Sequence, residues 1–349
     1  MGYRQGHQGD IGQGRLRADF GKRVSLPQEQ ELKARCPDFA TRREAMEKIG
    51  FIGLGRMGKS MALNLRKAGF DLLVLDINPQ AAQELVAAGA IQARDVAELA
   101  RACGIVITML PSSKEVEAVV LGEDGVLAHA RAGALIMDMS TIDPLATDRL
   151  HALATAQDLH WVDAPVGRLA EHADRGESLF MVGAGDAQFQ RVKPLLEAMG
   201  TTIYHCGPVG SGGRTKLVNN FVAVSLCQIN GEALALSQRF GLDITKTLQV
   251  LYGTSATNGQ LRMNFPNKVL IGRTEPGFTI DLAHKDMSLV LAAAHASRVP
   301  MPVAAAVHES FSLARAAEFG GQDFSCIADA LCQLAHIDPA RVPEGWKPG

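Results

Sequence analysis

From Lys48 onward the chain alternates between short apolar runs and longer amphipathic stretches. Lys48 to Ile52 is too short for a helix, Lys59 to Ala68 carries apolar residues at helical spacing, Gly69 stops it, and Leu72 to Leu75 is apolar again. This predicts a βαβ unit. The alternation continues through helix 79–88, a short strand near Ile91, helix 95–101, strand 105–109, helix 114–121 and a strand over 135–139. Strands and helices in this order predict an α/β fold: an N-terminal doubly wound parallel sheet of the Rossmann type, with helices on both faces and ligands at the strand C-termini. Glycines 207, 210, 212 and 213 then mark a loop, and a long helix runs from about Arg214 to Arg239, stopped by Gly241. Beyond Leu242 the chain reads as helices broken by Gly, Pro and Asn.

The first 45 residues are different. They are rich in Gly, Gln and Arg and have no sustained apolar period. They read as a disordered extension, or as sequence upstream of the natural start, with Met46 beginning the folded protein; a partner-binding arm is the functional alternative. The expected division is therefore 1–46 extension, 47–209 Rossmann-type α/β domain, 210–340 all-helical domain and 341–349 tail.

Composition narrows the partners. At 349 residues, 47% hydrophobic and with a formal net charge of −2, the chain can bury two cores and offers no field that would gather nucleic acid. No apolar run approaches the roughly 20 residues needed to span a bilayer, and no secretory signal pattern opens the chain, so a cytoplasmic location is expected. The six cysteines form no CxxC pair and read as reduced thiols. The histidines share no stripe with ligand spacing, so no metal is expected.

The first candidate chemistry lies after the first strand. Gly53-Leu54-Gly55-Arg56-Met57-Gly58 is GxGxxG: Gly53 for the tight turn, Gly55 for backbone approach to a pyrophosphate, Gly58 for close packing of helix on strand. Asp76 follows the second strand about 20 residues on, where a carboxylate accepts from the adenosine ribose. It repels the extra phosphate of NADP, and no arginine stands beside it, so NAD is the expected cofactor. Leu110, Pro111 and Thr141 occupy strand ends where they could touch that cofactor, and Ser140 the substrate, although Ser-Thr before a helix is often a plain N-cap. Downstream, Lys216, Asn219 and Asn220 share one helical face near a glycine-rich start, which suits a polar pocket better than a core. In "DAPVGRLAEHADRG", Arg168 stands where the backbone looks built for glycine.

Taken together, Gly53-x-Gly55-x-x-Gly58, Asp163-x-Pro165-Val166, Gly207-x-x-Gly210-x-Gly212-x-x-x-Lys216-x-x-Asn219-Asn220 and Lys285-Asp286 resemble the successive signatures of the β-hydroxyacid dehydrogenases, from Met46 to about Ala340. The resemblance implies a Rossmann domain, an interdomain helix carrying a catalytic lysine, Lys216, and an all-helical domain that closes the site and assembles dimers or tetramers. It implies that Lys285 reaches the cofactor from that domain. In this family the third element usually ends Ser-Gly-Gly, whose small residues wrap a carboxylate; here it reads Gly167-Arg168-Leu169. A Gly-Arg form resembles the branch that reduces 3-sulfolactaldehyde, in which arginine holds the sulfonate. Leu169 and Ala223 depart from that branch, where hydroxyl residues stand.

Chemistry assigns the roles. Hydride addition to an aldehyde leaves charge on oxygen, which needs a proton donor; Lys216 is the natural one, with Asn220 orienting it and Asn219 bonding a hydroxyl or the acid group. Arg168 can grip a carboxylate or sulfonate through two parallel hydrogen bonds. Asp163 and Pro165 are expected to shape the strand end, and His172 and Arg175 to lie on a solvated helix face. The expected reaction interconverts a small anionic aldehyde and its alcohol, 3-sulfolactaldehyde to 2,3-dihydroxypropane-1-sulfonate first. The alternatives are 3-hydroxyisobutyrate, tartronate semialdehyde or 4-hydroxybutyrate dehydrogenation, imine reduction, and a non-catalytic nucleotide-binding scaffold; Lys216 argues against the last two.

Overall fold

The computed structural model describes residues 47–347, so the expectation for residues 1–46 lies outside it, as do the last two residues of the tail. The strands are β1 (Ile49–Ile52), β2 (Leu72–Leu75), β3 (Ile91–Gln92), β4 (Ile105–Thr108), β5 (Leu135–Asp138), β6 (His160–Asp163), β7 (Val166–Gly167), β8 (Ser178–Gly183) and β9 (Gly200–Gly207). The helices of the sheet region are α1 (Arg56–Lys67), α2 (Gln83–Ala87), α3 (Val96–Ala102), α4 (Ser113–Leu121), α5 (Val126–His129), α6 (Pro144–Thr155), α7 (Ala170–Asp174) and α8 (Asp186–Met199). Those that follow are α9 (Ser211–Arg239), α10 (Ile244–Tyr252), α11 (Ile280–Ala296), α12 (Pro302–Ala316) and α13 (Ile327–Leu334).

Strands β1, β4 and β5 are buried at every position, which is why they read as apolar runs rather than as alternating ones: helices cover both faces. Six parallel strands run in the order 3-2-1-4-5-6. The all-parallel expectation fails beyond β6. Strand β8 runs antiparallel to β6 and β7, and β9 then lies parallel on β8. The ten residues 168–177 hold only the five-residue α7, too little for the dozen or more that a parallel crossover needs. The chain therefore turns back beside itself.

One apolar cluster lies on each face of the sheet, around Phe51, Leu65 and Phe180 on one side and Ile136, Leu150 and Trp161 on the other. A third surrounds α9, where Val224 and Leu234 meet Phe265, Met287, Phe311 and Ile327 of the helical half. At 29 residues, α9 is about 43 Å long, and it packs on the sheet through its first turns and on α11 and α13 beyond them. Several boundaries move from expectation, among them the start of α1, at Arg56 rather than Lys59. Residues Pro79–Ala82 wind as a 3-10 turn before α2, and α9 begins at Ser211 rather than near Arg214.

That earlier start has a cause in Asp163. Its carboxylate, 2% exposed at the end of β6, accepts from the backbone N–H of Gly210 (2.6 Å) and of Gly213 (2.7 Å). It serves two donors that the helix cannot satisfy internally. Asp163 thus shapes the strand end, as expected, and also anchors the helix that carries Lys216. Burial pushes its pKa up to about 6 even though both N–H groups favour the ionised form. Asp163→Ala leaves two inward-facing N–H groups without an acceptor, at about 1–3 kcal/mol each. A fall in the urea midpoint of several kcal/mol equivalent is expected, with Asp163→Asn losing less; an unchanged midpoint would refute the anchor.

Candidate active site

The strand order reverses between β1 and β4, and the loops after these two strands form the floor of a cavity of about 1900 Å³. Gly53 closes the first loop at φ +99°, and a Cβ there would stand 2.2 Å from the carbonyl oxygen of Met109. At Gly55, by contrast, a Cβ would meet nothing within 4 Å. Gly55 is also the N-cap of α1, and no side chain caps that helix. An open backbone at an uncapped helix N-terminus fits a diphosphate. Leu54 is buried and donates its N–H to Asp76 Oδ2 (2.6 Å), while Asn78 N–H donates to Oδ1 (2.8 Å). Asp76 is thereby held at the end of β2 with acceptor capacity left for a sugar hydroxyl. These residues fit a dinucleotide.

Gly55, Arg56, Met57, Asp76, Leu110 and Pro111 line the cavity; Gly58 packs beneath it, where a Cβ would lie 2.0 Å from the Gly53 carbonyl oxygen. Ile77 also lines it and is fully exposed, an apolar wall the sequence reading missed although it directly follows Asp76. Ser140, 4% exposed, accepts from Leu110 N–H (2.9 Å) and so ties the loop after β5 to the loop after β4. It does not cap the next helix: Asp143 does, accepting from Leu145 N–H. Beneath Ser140, the buried Asp138 carboxyl has its pKa raised by desolvation, against the bonds it accepts from Ser140 and Thr108.

The opposite wall is the first third of α9. Lys216 is 9% exposed, and its Nζ donates to the Val166 carbonyl oxygen (2.7 Å). Burial drives its pKa below the ordinary lysine value; Asp286 pulls it back up and Lys285 pushes it further down. One turn on, Asn220 Nδ2 donates to Asp286 Oδ2 (2.5 Å), and Asn219 Nδ2 donates to Asn220 Oδ1 (3.0 Å). Both ends of the Asn220 amide are thus pinned. Asp286, 2% exposed on α11, is a site residue that the sequence reading quoted but gave no role; a lone acid on an apolar helix face was the available signal. Its neighbour Lys285 donates to the Thr141 carbonyl oxygen (2.8 Å) and joins the helical half to the loop after β5.

Between these walls runs the segment after β7. Gly167 is buried beside Leu179. Arg168 takes φ +71°, the left-handed region that favours glycine, as its place in the sequence suggested. It lines the cavity, yet its guanidinium donates to the Glu177 carbonyl oxygen (2.5 Å), Thr201 Oγ1 (3.1 Å) and Thr202 Oγ1 (3.0 Å). Helix α7 is tied down on both sides. Asp174 receives two bonds from Arg56 (2.8 and 2.7 Å), and Lys268 of the helical half donates to Glu171 (3.1 Å). His172 and Arg175 line the cavity rather than a purely solvated face, because these ties turn α7 across the cleft. The cavity therefore brings together Ser140, Thr141, Arg168, Lys216, Asn219, Asn220 and Lys285, while Leu54, Gly58 and Gly167 lie behind its wall. Among the described residues no group of three or more His, Cys, Asp or Glu side chains is arranged to hold a metal ion.

One cavity thus joins the open N-terminus of α1 to the buried Lys216, and comparison with known proteins gives the family. The family model described as the NAD binding domain of 6-phosphogluconate dehydrogenase matches residues 48–207. A second, described as NAD-binding of NADP-dependent 3-hydroxyisobutyrate dehydrogenase, matches residues 210–331. The chain is 42% identical to 3-sulfolactaldehyde reductase of Escherichia coli (strain K12), over 82% of this chain and 96% of that one. It is 35% identical to 2-(hydroxymethyl)glutarate dehydrogenase of Eubacterium barkeri, over 83% and 96%. Among solved structures, Mycobacterium tuberculosis 3-hydroxyisobutyrate dehydrogenase with L-serine superposes with a TM-score of 0.75 at 31% identity, over 82% of this chain and 99% of that one.

Proposed function

Because the chain belongs to the β-hydroxyacid dehydrogenase family, we propose that it interconverts a small anionic aldehyde and its alcohol with NAD, and that 3-sulfolactaldehyde is the aldehyde it reduces. The observation that carries the chemistry is Lys216: a buried lysine with a depressed pKa, in one cavity with the Gly55 cradle. A bound nicotinamide supplies or accepts the hydride. As the aldehyde carbon gains hydride, its oxygen takes a proton from the Lys216 ammonium; in reverse the neutral amine removes the hydroxyl proton. Asn220, fixed by Asp286 and Asn219, orients that oxygen, and Asn219 is placed for the next polar group of the substrate. Ser140 lines the same cavity and is the proposed hydroxyl contact to the substrate.

An anionic substrate is supported by charge. On the wall built from residues 166–286, Arg168, Arg175, Lys216, Arg262, Lys268, Arg273 and Lys285 outnumber the acids Glu171 and Asp286, in a chain whose net charge is −2. Arg168 is the anchor proposed for the acid group, and the 42% identity to the E. coli enzyme favours a sulfonate. Leu169 and Ala223 favour a second reading, a carboxylate. Both line the cavity without a polar side chain, and the Ala223 carbonyl is occupied by Gln260 Nε2 (3.3 Å). NAD is preferred over NADP because Asp76 would face the extra phosphate.

The test is NADH consumption with 3-sulfolactaldehyde, succinic semialdehyde, methylmalonate semialdehyde and tartronate semialdehyde. Selective turnover of the first is expected; a carboxylate winner replaces the substrate, and no turnover of any removes the whole reading. The proposal extends to a cytoplasmic homodimer or homotetramer. Its support is the free state of the described cysteines and an exposed apolar stripe of Val218, Val222, Ile229 and Leu236 along one face of α9, continued by Phe240 at its end.

A further inference from the structure

Arg168 carries two features that a plain surface arginine lacks. Its backbone sits at φ +71°, and its planar fork is spent on three uncharged acceptors: the Glu177 carbonyl and the hydroxyls of Thr201 and Thr202 at the start of β9. We infer that Thr201 and Thr202 form a resting station for Arg168, one it must leave to hold the acid group of the substrate, so that two hydroxyls that never touch substrate set its affinity. The inference rests on the proposed role of Arg168 as acid anchor.

The physical argument is a competition. A carboxylate or sulfonate offers the guanidinium an ionised acceptor and two parallel bonds in one plane, which a neutral hydroxyl does not. Substrate therefore wins the arginine, but against the bonds it must break. Apparent affinity falls in proportion to the fraction of enzyme whose arginine is free to bind. Arg168 lines the cavity while Thr201 and Thr202 do not, so its side chain lies at the cavity edge, and the inferred move is a rotation of that side chain alone. Thr201 is exposed and Thr202 half-buried, and the pairing of β9 with β8 runs through backbone groups, Thr202 opposite Leu179. The hydroxyls can be removed without removing a sheet bond.

The test is the double variant Thr201→Val/Thr202→Val, isosteric and equally suited to a strand, assayed with the aldehyde that the panel turns over fastest. KM for that aldehyde should fall about three- to tenfold, while kcat and the NADH dissociation constant, read by fluorescence quenching, stay unchanged. Thr201→Val alone should give an intermediate fall, and Thr201→Ser/Thr202→Ser should restore the parent KM. An unchanged KM overturns the station, and a raised KM means that the threonines hold Arg168 in its working position. If Arg168→Met raises KM while the valine pair does nothing, the station alone fails; if neither moves KM, the anchor reading fails with it.

Discussion

Replacing Lys216 by alanine should lower kcat by about 10²- to 10⁴-fold, the usual contribution of a positioned acid or base, while NADH binds as before. Lys216 lies on α9 and bonds the Val166 carbonyl, whereas the cradle is built from β1, α1 and β2, so the two losses are separable. The pH dependence tests the same assignment with a sign. Burial holds the Lys216 pKa below its ordinary 10.5. Reduction needs the ammonium, so its rate is highest below that pKa and falls as pH rises through it. Oxidation needs the neutral amine and climbs over the same interval. Lys216→Arg keeps the charge but not the proton transfer, because guanidinium does not deprotonate in this range. It should slow both directions and erase the shared limb. A Lys216→Ala enzyme that keeps a tenth of the parent rate, or loses NADH binding along with turnover, would refute the role.

How far the sequence reveals this site depends on how local each cause is. The βαβ unit and the GxGxxG turn are legible because apolar period and glycine placement act within about twenty-five residues. The stripe of Lys216, Asn219 and Asn220 is legible because helical spacing alone puts them together. The reversal of β8 is not, since it is decided by how few residues follow β7 and by pairing with a strand not yet formed. Asp286 reaches Asn220 across 66 positions and Lys285 reaches Thr141 across 144; nothing in the neighbourhood of either residue encodes its partner. Arg168 falls between these cases. Its backbone conformation is written in a glycine-like position, but its partners at 201 and 202 lie 33 and 34 residues away and become neighbours only once β9 joins the sheet.

For that reason the second large effect belongs to Arg168. Arg168→Met keeps most of the length of the side chain and removes the fork. It should raise KM for the anionic aldehyde by roughly ten- to a hundredfold, the loss of a charge-assisted pair worth about 1.5–3 kcal/mol, with the NADH dissociation constant unmoved. Arg168→Gly separates recognition from strain. Glycine relieves a left-handed backbone that costs a branched or long side chain about 1 kcal/mol or more, so the unfolding midpoint should rise even as KM worsens to the level of the methionine variant. A protein that spends stability at one position and recovers it as recognition is the pattern expected of a functional outlier. If Arg168→Gly instead loses both stability and affinity, the arginine is a clamp on the β8–β9 edge, and the acid group must be held by another cation of the same wall, with Arg175 and Arg273 the next to replace.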